Sequence, residues 1–168
     1  MLVKNYGVTM SIKIRKANKE DSALILKFVK ELASYENAEH EVIATQSSIE
    51  NSIFGQDSST QAIICEKGGE PIGFAVYFFN YSTWLGKNGL YLEDLYVSHT
   101  QRGSGAGKTL LKYLAKVAVE NDCGRFEWSV LDWNEPAIKF YESLGAKQKN
   151  GWLGYQLAGS DLHTFAKS

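Results

Sequence analysis

The sequence predicts one α/β domain with a mixed central sheet flanked by helices. Three observations carry that reading. The apolar periodicity changes along the chain in the order β-α-α-β-β-β-α-β-α-β. A strand ending at Val97 runs into a glycine-rich turn, residues 103–107, that opens a helix. The chain has 168 residues, 44% hydrophobic and 22% charged, which is the size and mix of a single soluble globule.

Each element has a local reason. Residues 1–10 lack a pattern and read as an N-terminal extension, with Met10 an alternative start; the domain is expected to occupy 11–168. Ile12 and Ile14 alternate with polar residues in a first strand, 10–16. Asn18 with Asp21 three residues on has the form of a capping box. Ile25, Phe28, Val29 and Leu32 then repeat at helical spacing through about Tyr35. A weaker helix is predicted from Gln46 to Phe54. Residues 61–66 and 71–80 are apolar and β-rich, and Gly68-Gly69 between them predicts a hairpin. A strand over 89–97 follows. The next helix has the stripe Ala106, Leu110, Leu114, Val117 and Ala118. After a strand at 125–131, a helix begins near Asn134, with Pro136 in its first turn and Gly145 as its stop. Residues 152–157 read as a last strand.

Composition excludes several classes. Eighteen Lys and Arg against nineteen Asp and Glu leave a net charge of −1, which excludes a strongly basic nucleic-acid module. No apolar run approaches the roughly 18 residues of a membrane helix. Residues 1–10 lack a signal-peptide core. Cys65 and Cys123 are too few for a disulfide framework, and two reduced thiols suit a cytoplasmic chain. His40, His99 and His163 make no metal-ligand spacing with them, so no metal is expected. No G-x-S-x-G elbow is present.

The loop Arg102-Gly103-Ser104-Gly105-Ala106-Gly107-Lys108-Thr109 carries the strongest chemical signal. Glycines let a backbone approach a ligand closely, and the free N–H groups of a first helical turn attract phosphate. It is not a P-loop, because the required first glycine would fall at Arg102. It is not the dinucleotide pattern G-x-G-x-x-G either, because Lys108 takes the last position. A glycine-rich helix cap alone would not need three alternating glycines between Arg and Lys.

The loop fits Arg/Gln-x-x-Gly-x-Gly/Ala and resembles the acetyl-CoA pyrophosphate loop of the GNAT superfamily of N-acetyltransferases. Tyr81-Ser-Thr-Trp84-Leu-Gly-Lys87 leading to Tyr91-Leu-Glu93-Asp94, with Trp133-Asn134-Glu135-Pro136 leading to Phe140-Tyr141, is similar to the diamine group. That group comprises the spermidine/spermine acetyltransferases and their thialysine-acetylating relatives. The likeness runs from about Ile12 to Phe165. It implies a GNAT-like acyl-CoA N-acyltransferase fold, acetyl-CoA as cosubstrate, a small cationic amine as acceptor and a homodimer. Leu85 and Val130-Leu-Asp-Trp133 lean towards the thialysine-type relatives.

The resemblance also implies roles. Arg102, Gly103, Ser104, Gly105, Ala106, Gly107 and Lys108 would hold the pyrophosphate. The backbone of Leu95, Tyr96 and Val97 would pair with the pantetheine arm, and Asn134 would bond in its neighbourhood. Glu93 would bind the amine and assist its deprotonation, with Asp94 as a second carboxylate. Tyr35, Glu36 and Trp84 would line the acceptor cleft, and Tyr141 would protonate the leaving thiolate. The residues alone allow plainer readings: Tyr141 falls on an Ile138-Tyr141-Leu144 packing stripe, and Glu36 on a solvated helix end. Adjacent Glu93 and Asp94 face opposite sides of a regular strand and reach one cleft only if it is bulged. A peptide acetyltransferase and a non-catalytic acetyl-CoA sensor are the alternative functions.

The near-neutral total hides a division. From Glu31 to Glu66 there are seven acidic residues and no Lys or Arg. From Leu95 to Val119 there is no Asp or Glu, while Arg102, Lys108, Lys112 and Lys116 are basic. One stretch suits a cationic ligand and the other an anionic one.

Overall fold

A computed structural model describes residues 11–168, so the expected extension over 1–10 lies outside the described residues. These residues form two compact units, divided between Ser129 and Val130.

The first unit is built on a five-stranded sheet in the order β1-β2-β3-β4-β5. The strands are β1 (Ile12–Lys16), β2 (Thr60–Lys67), β3 (Glu70–Ser82), β4 (Lys87–Val97) and β5 (Arg125–Trp128). The first four pair antiparallel, and β5 pairs parallel to β4. The sheet is therefore mixed, as the sequence predicts. A parallel neighbour needs a crossover, and helix α3 (Ala106–Glu120) supplies it. The β2–β3 hairpin turns on Gly68 and Gly69, whose φ values of 63° and 90° are the left-handed pair a two-residue turn demands.

Helices α1 (Ser22–Tyr35) and α2 (Gln46–Phe54) cover one face. Ile25, Phe28 and Ile49 meet Ala62 and Ile64 of β2, Phe74 and Val76 of β3, and Tyr96 of β4. The Phe28 and Phe74 rings stack at 5.6 Å. The alternate residues Ile63, Cys65 and Ala75 are equally buried, and α3 packs on that side through Ala106, Leu110, Leu111, Leu114 and Ala118. Val117, expected in the stripe, is only half-buried, and Leu111 takes its place.

The start of α1 is held by charge. Asn18 and Asp21 form the predicted capping box, though the first turn, Lys19–Asp21, is a 3-10 turn. Arg15 on β1 donates two hydrogen bonds to Asp21, at 2.7 and 2.8 Å, and a third to Glu66 of β2 at 2.6 Å. One guanidinium thus ties two strands to the first helix. Its hydrogen bonds hold the Asp21 carboxyl below the usual carboxylate range.

The second unit holds α4 (Glu135–Ser143) and α5 (Gly159–Phe165). Asn134 caps α4 by accepting from the Ala137 N–H at 3.3 Å. The helix stops at Gly145, φ 89°, with Ala146 N–H bonded to Tyr141 O and Gly145 N–H to Glu142 O. That is a Schellman stop, which requires a left-handed residue at Gly145.

Two boundaries differ from expectation. The strand expected over 125–131 ends at Trp128. The strand expected over 152–157 is absent. Gly154 interrupts that run, and a strand has no hydrogen bonds until a neighbour supplies them. The unpredicted α5 begins two residues later, with Leu162 and Phe165 three apart.

Asp21→Ala should lower stability by about 2 kcal/mol at pH 7, through loss of the cap and the Arg15 bonds. Because the folded pKa is depressed, this contribution is complete above the unfolded value of about 3.9 and fades as pH falls. Urea midpoints for wild type and variant should differ at pH 7 and draw together as pH falls below about 3.9.

Candidate active site

Strand β4 carries one extra residue. Tyr77 of β3 pairs with Leu92, but Val76 pairs with Asp94, so Glu93 is the unpaired residue of a β-bulge. The side-chain period is two, so one extra residue changes which face each later side chain meets. Leu90 and Leu92 share the α3 face with Tyr77 and Phe79. Beyond the bulge, Asp94 and Tyr96 share the α1 face with Val76 and Phe74. The condition under which Glu93 and Asp94 both serve one cleft is met.

Asp94 therefore faces the end of α1. It is half-buried, and burial, followed by the charges of Glu93 and Glu36, pushes its carboxyl up to about 6. Burial also raises the Glu36 carboxyl. Glu36 is the C-cap of α1, where the helix dipole adds negative potential. Three carboxylates and a helix C-terminus form a region suited to a cation. Glu93 is exposed, while Asp94 and Glu36 are half-buried.

The same strand has an open edge. Parallel β5 pairs with β4 only from Gly89 to Leu92. No described strand continues that pairing beside Leu95, Tyr96 and Val97. Their outward N–H and C=O groups can accept an extended amide chain as an added strand would be accepted.

Val97 leads through a 3-10 turn, His99–Gln101, into the glycine loop. Gly103 and Gly105 have φ values of 78° and 88°, and a Cβ at either would meet nothing within 4 Å. Glycine is required there by backbone conformation, and the space in front of it is open. Gly105 is the N-cap of α3 and offers no side chain to its first turn, which also contains no acidic residue. The Ser104 hydroxyl is buried with no hydrogen-bond partner. A buried polar atom without a partner calls for one, and a phosphate oxygen would supply it. Ala106, Gly107 and Lys108 form the helical turn behind. These residues fit a pyrophosphate.

The loop is linked to α1. The Arg102 guanidinium carbon lies 4.2 Å from the centre of the Tyr35 ring. The Tyr96 ring lies 6.0 Å from that of Phe28 in the middle of α1, and burial, followed by the nearby Glu31 carboxylate, raises its hydroxyl. Tyr96, chosen from sequence for its backbone, thus also packs β4 against α1 with its side chain. No sequence signal pairs Phe28 with Tyr96 across that separation.

Trp84 is placed elsewhere. It is exposed in the turn between β3 and β4. Six residues separate Lys87 at the start of β4 from Glu93, about 20 Å at strand rise. Within the first unit, Trp84 does not join the carboxylates. Asn134 and Tyr141 belong to the second unit. Asn134 is the α4 cap, and Tyr141 lies in the last turns of α4 with its ring 5.5 Å from that of Phe140. Among the described residues, no group of three His, Cys, Asp or Glu side chains could hold a metal ion, and no helix is long and apolar enough to cross a membrane.

The sequence pattern of the acetyltransferase (GNAT) family matches residues 26–146. Thialysine N-epsilon-acetyltransferase of Mus musculus is 34% identical over 167 residues, covering 93% of this chain and 98% of that protein. Spermidine/spermine N(1)-acetyltransferase-like protein 1 of Homo sapiens is 35% identical over 159 residues, covering 89% of this chain and 23% of that protein. Among solved structures, an integron cassette protein from the mobile metagenome of V. cholerae superposes with a TM-score of 0.80 at 29% identity, over 95% of this chain and 99% of that one.

The Asp94 environment predicts a stabilising substitution. A folded carboxyl raised above its unfolded value costs stability when ionised, and the cost disappears as pH falls from about 6 towards 4. Asp94→Asn should stabilise the fold by about 2 kcal/mol at pH 8 and by little at pH 4. Thermal melts at both values test this; equal melting temperatures for wild type and variant at pH 8 would refute the burial of an ionised carboxylate.

Proposed function

The chain belongs to the acetyltransferase (GNAT) family, and on that premise we propose that it acetylates the primary amine of a small cationic acceptor by direct attack on the thioester of acetyl-CoA. The family supplies the activity, N-acetyl transfer, and the cosubstrate. The single observation that supports the small cationic acceptor is the β4 bulge. It sets carboxylates and an open strand edge on consecutive residues of one strand, with the glycine loop directly after.

In this reading the chain binds two opposite charges. Arg102 to Lys108 and the first turn of α3 hold the pyrophosphate. The backbone of Leu95, Tyr96 and Val97 carries the pantetheine amides, with Asn134 bonding nearby. Glu36, Glu93 and Asp94 attract the acceptor, and Tyr35 lines its cleft beside Glu36. An alkylammonium has a pKa of about 10.4 and must lose a proton before it attacks. Exposed Glu93 relays that proton to water. Asp94, at about 6, is still mainly ionised at pH 7 and adds negative charge that attracts the cation. The leaving thiolate, conjugate to a thiol of about 8.5, takes its proton from Tyr141.

A thialysine-type amino acid is favoured over a polyamine, because the relative matched almost end to end is named for thialysine. Both structural units form one catalytic domain in this reading, since the family match at 26–146 runs through their division. A cytoplasmic setting is supported by two unpaired cysteines, Cys65 and Cys123. A homodimer is proposed from the family resemblance and is tested by sedimentation.

Thiol release from acetyl-CoA, measured over thialysine, lysine, ornithine, spermidine, putrescine and peptides, tests the whole reading. Turnover is expected with small amines. Release only with peptides would make the protein a peptide acetyltransferase, and CoA binding without release would make it a sensor.

Two variants test the roles. Tyr141→Phe should lower kcat by about a hundredfold, the usual contribution of a positioned acid; an unchanged kcat removes that role. Gly105→Asp strains a left-handed position and puts a negative charge before α3. CoA affinity should fall at least tenfold by calorimetry, and an unchanged affinity refutes the loop assignment.

A further inference from the structure

Arg102 and Tyr35 were each assigned to a different ligand, yet they touch each other. The Arg102 guanidinium carbon is 4.2 Å from the Tyr35 ring centre, well within cation–π range. Tyr35 is the last residue of α1, half-buried, while Arg102 is exposed at the entrance of the glycine loop. An exposed arginine with no positional constraint samples many rotamers, and a phosphate contact must offset that loss of freedom.

We propose that the Tyr35 ring is a positioning surface that holds Arg102 ready for the cofactor phosphates. The inference rests on the acetyl-CoA reading and deepens it. A guanidinium is planar, and its five N–H donors lie in its plane. Stacking on a ring occupies one flat face and leaves the donor edge available. Tyr35 therefore orders the arginine without competing for the ligand. The surroundings keep both partners in place. Tyr96 packs its ring against Phe28 of α1 at 6.0 Å and so holds the helix against the strand that leads into the turn before Arg102. On the far side of that turn, Lys67 of β2 donates to Gln101 at 3.1 Å. Ring and guanidinium are thus carried on two elements joined independently of their own contact. A residue at the acidic acceptor region, next to Glu36, thereby acts on the cofactor side as well.

The test is CoA affinity of the full chain by calorimetry, without any amine. Tyr35→Leu removes the ring and should weaken CoA binding about two- to fivefold. Tyr35→Phe keeps the ring and should restore wild-type affinity. Arg102→Lys keeps the charge but loses the flat stack, so it should weaken binding and make the affinity insensitive to Tyr35→Leu. If Tyr35→Leu melts early, Tyr35→His, which keeps a flat ring, and Arg102→Lys at its exposed site carry the test: the first should bind CoA nearly as wild type and the second more weakly. The proposal is overturned if Tyr35→Leu binds CoA as well as wild type or more tightly, or if the two substitutions add independently. A wild-type chain that binds no CoA would instead overturn the acetyl-CoA reading on which this one stands.

Discussion

The period of two along a β-strand is the constraint on which this site depends. A regular β4 would send Glu93 towards α1 and Asp94 towards α3, into the side that Leu90 and Leu92 fill. One extra residue against Val76 and Tyr77 removes that conflict. It turns Asp94 and Tyr96 to the helix whose last turn carries Tyr35 and Glu36, while the hydrophobic run on either side of the bulge stays buried. The bulge is also where β4 loses its parallel neighbour, so the carboxylates and the open backbone edge arise at one place.

Opposite potentials are then kept apart by the same strand. The acidic stretch ends its first helix beside the bulge, and the basic stretch begins beyond Val97. The Ser104 hydroxyl, buried without a partner, and the uncapped first turn of α3 both lie on the basic side. Asp94 lies on the acidic side, with burial and two like charges raising its carboxyl. Both arrangements carry unfavourable local energy in the absence of a ligand, and each is relieved by a ligand of opposite character.

The rest of the first unit holds those pieces rigidly. Arg15 joins β1, β2 and the start of α1 through Asp21 and Glu66, and Phe28 packs the middle of α1 on Phe74. Tyr96 of β4 packs on the same Phe28. A helix fixed at its start and middle can present Tyr35 and Glu36 with little freedom, which is what a binding surface requires.

The sequence by itself determined the α/β class, the order of the strands from β1 to β5, the hairpin at Gly68-Gly69 and the cap at Asn18 and Asp21. It also determined the glycine loop. These are local: propensity, periodicity and turn conformation act over a few residues. The last strand, expected over 152–157, failed because a strand exists only through a partner that its own residues do not specify. The site followed the same division. Its residue types and their order were legible in the chain, down to the requirement that Glu93 and Asp94 need a bulge. Whether the bulge forms, which carboxylate is buried, and that Arg102 rests on Tyr35 were decided by tertiary structure alone, because each depends on groups far apart in sequence meeting across the sheet.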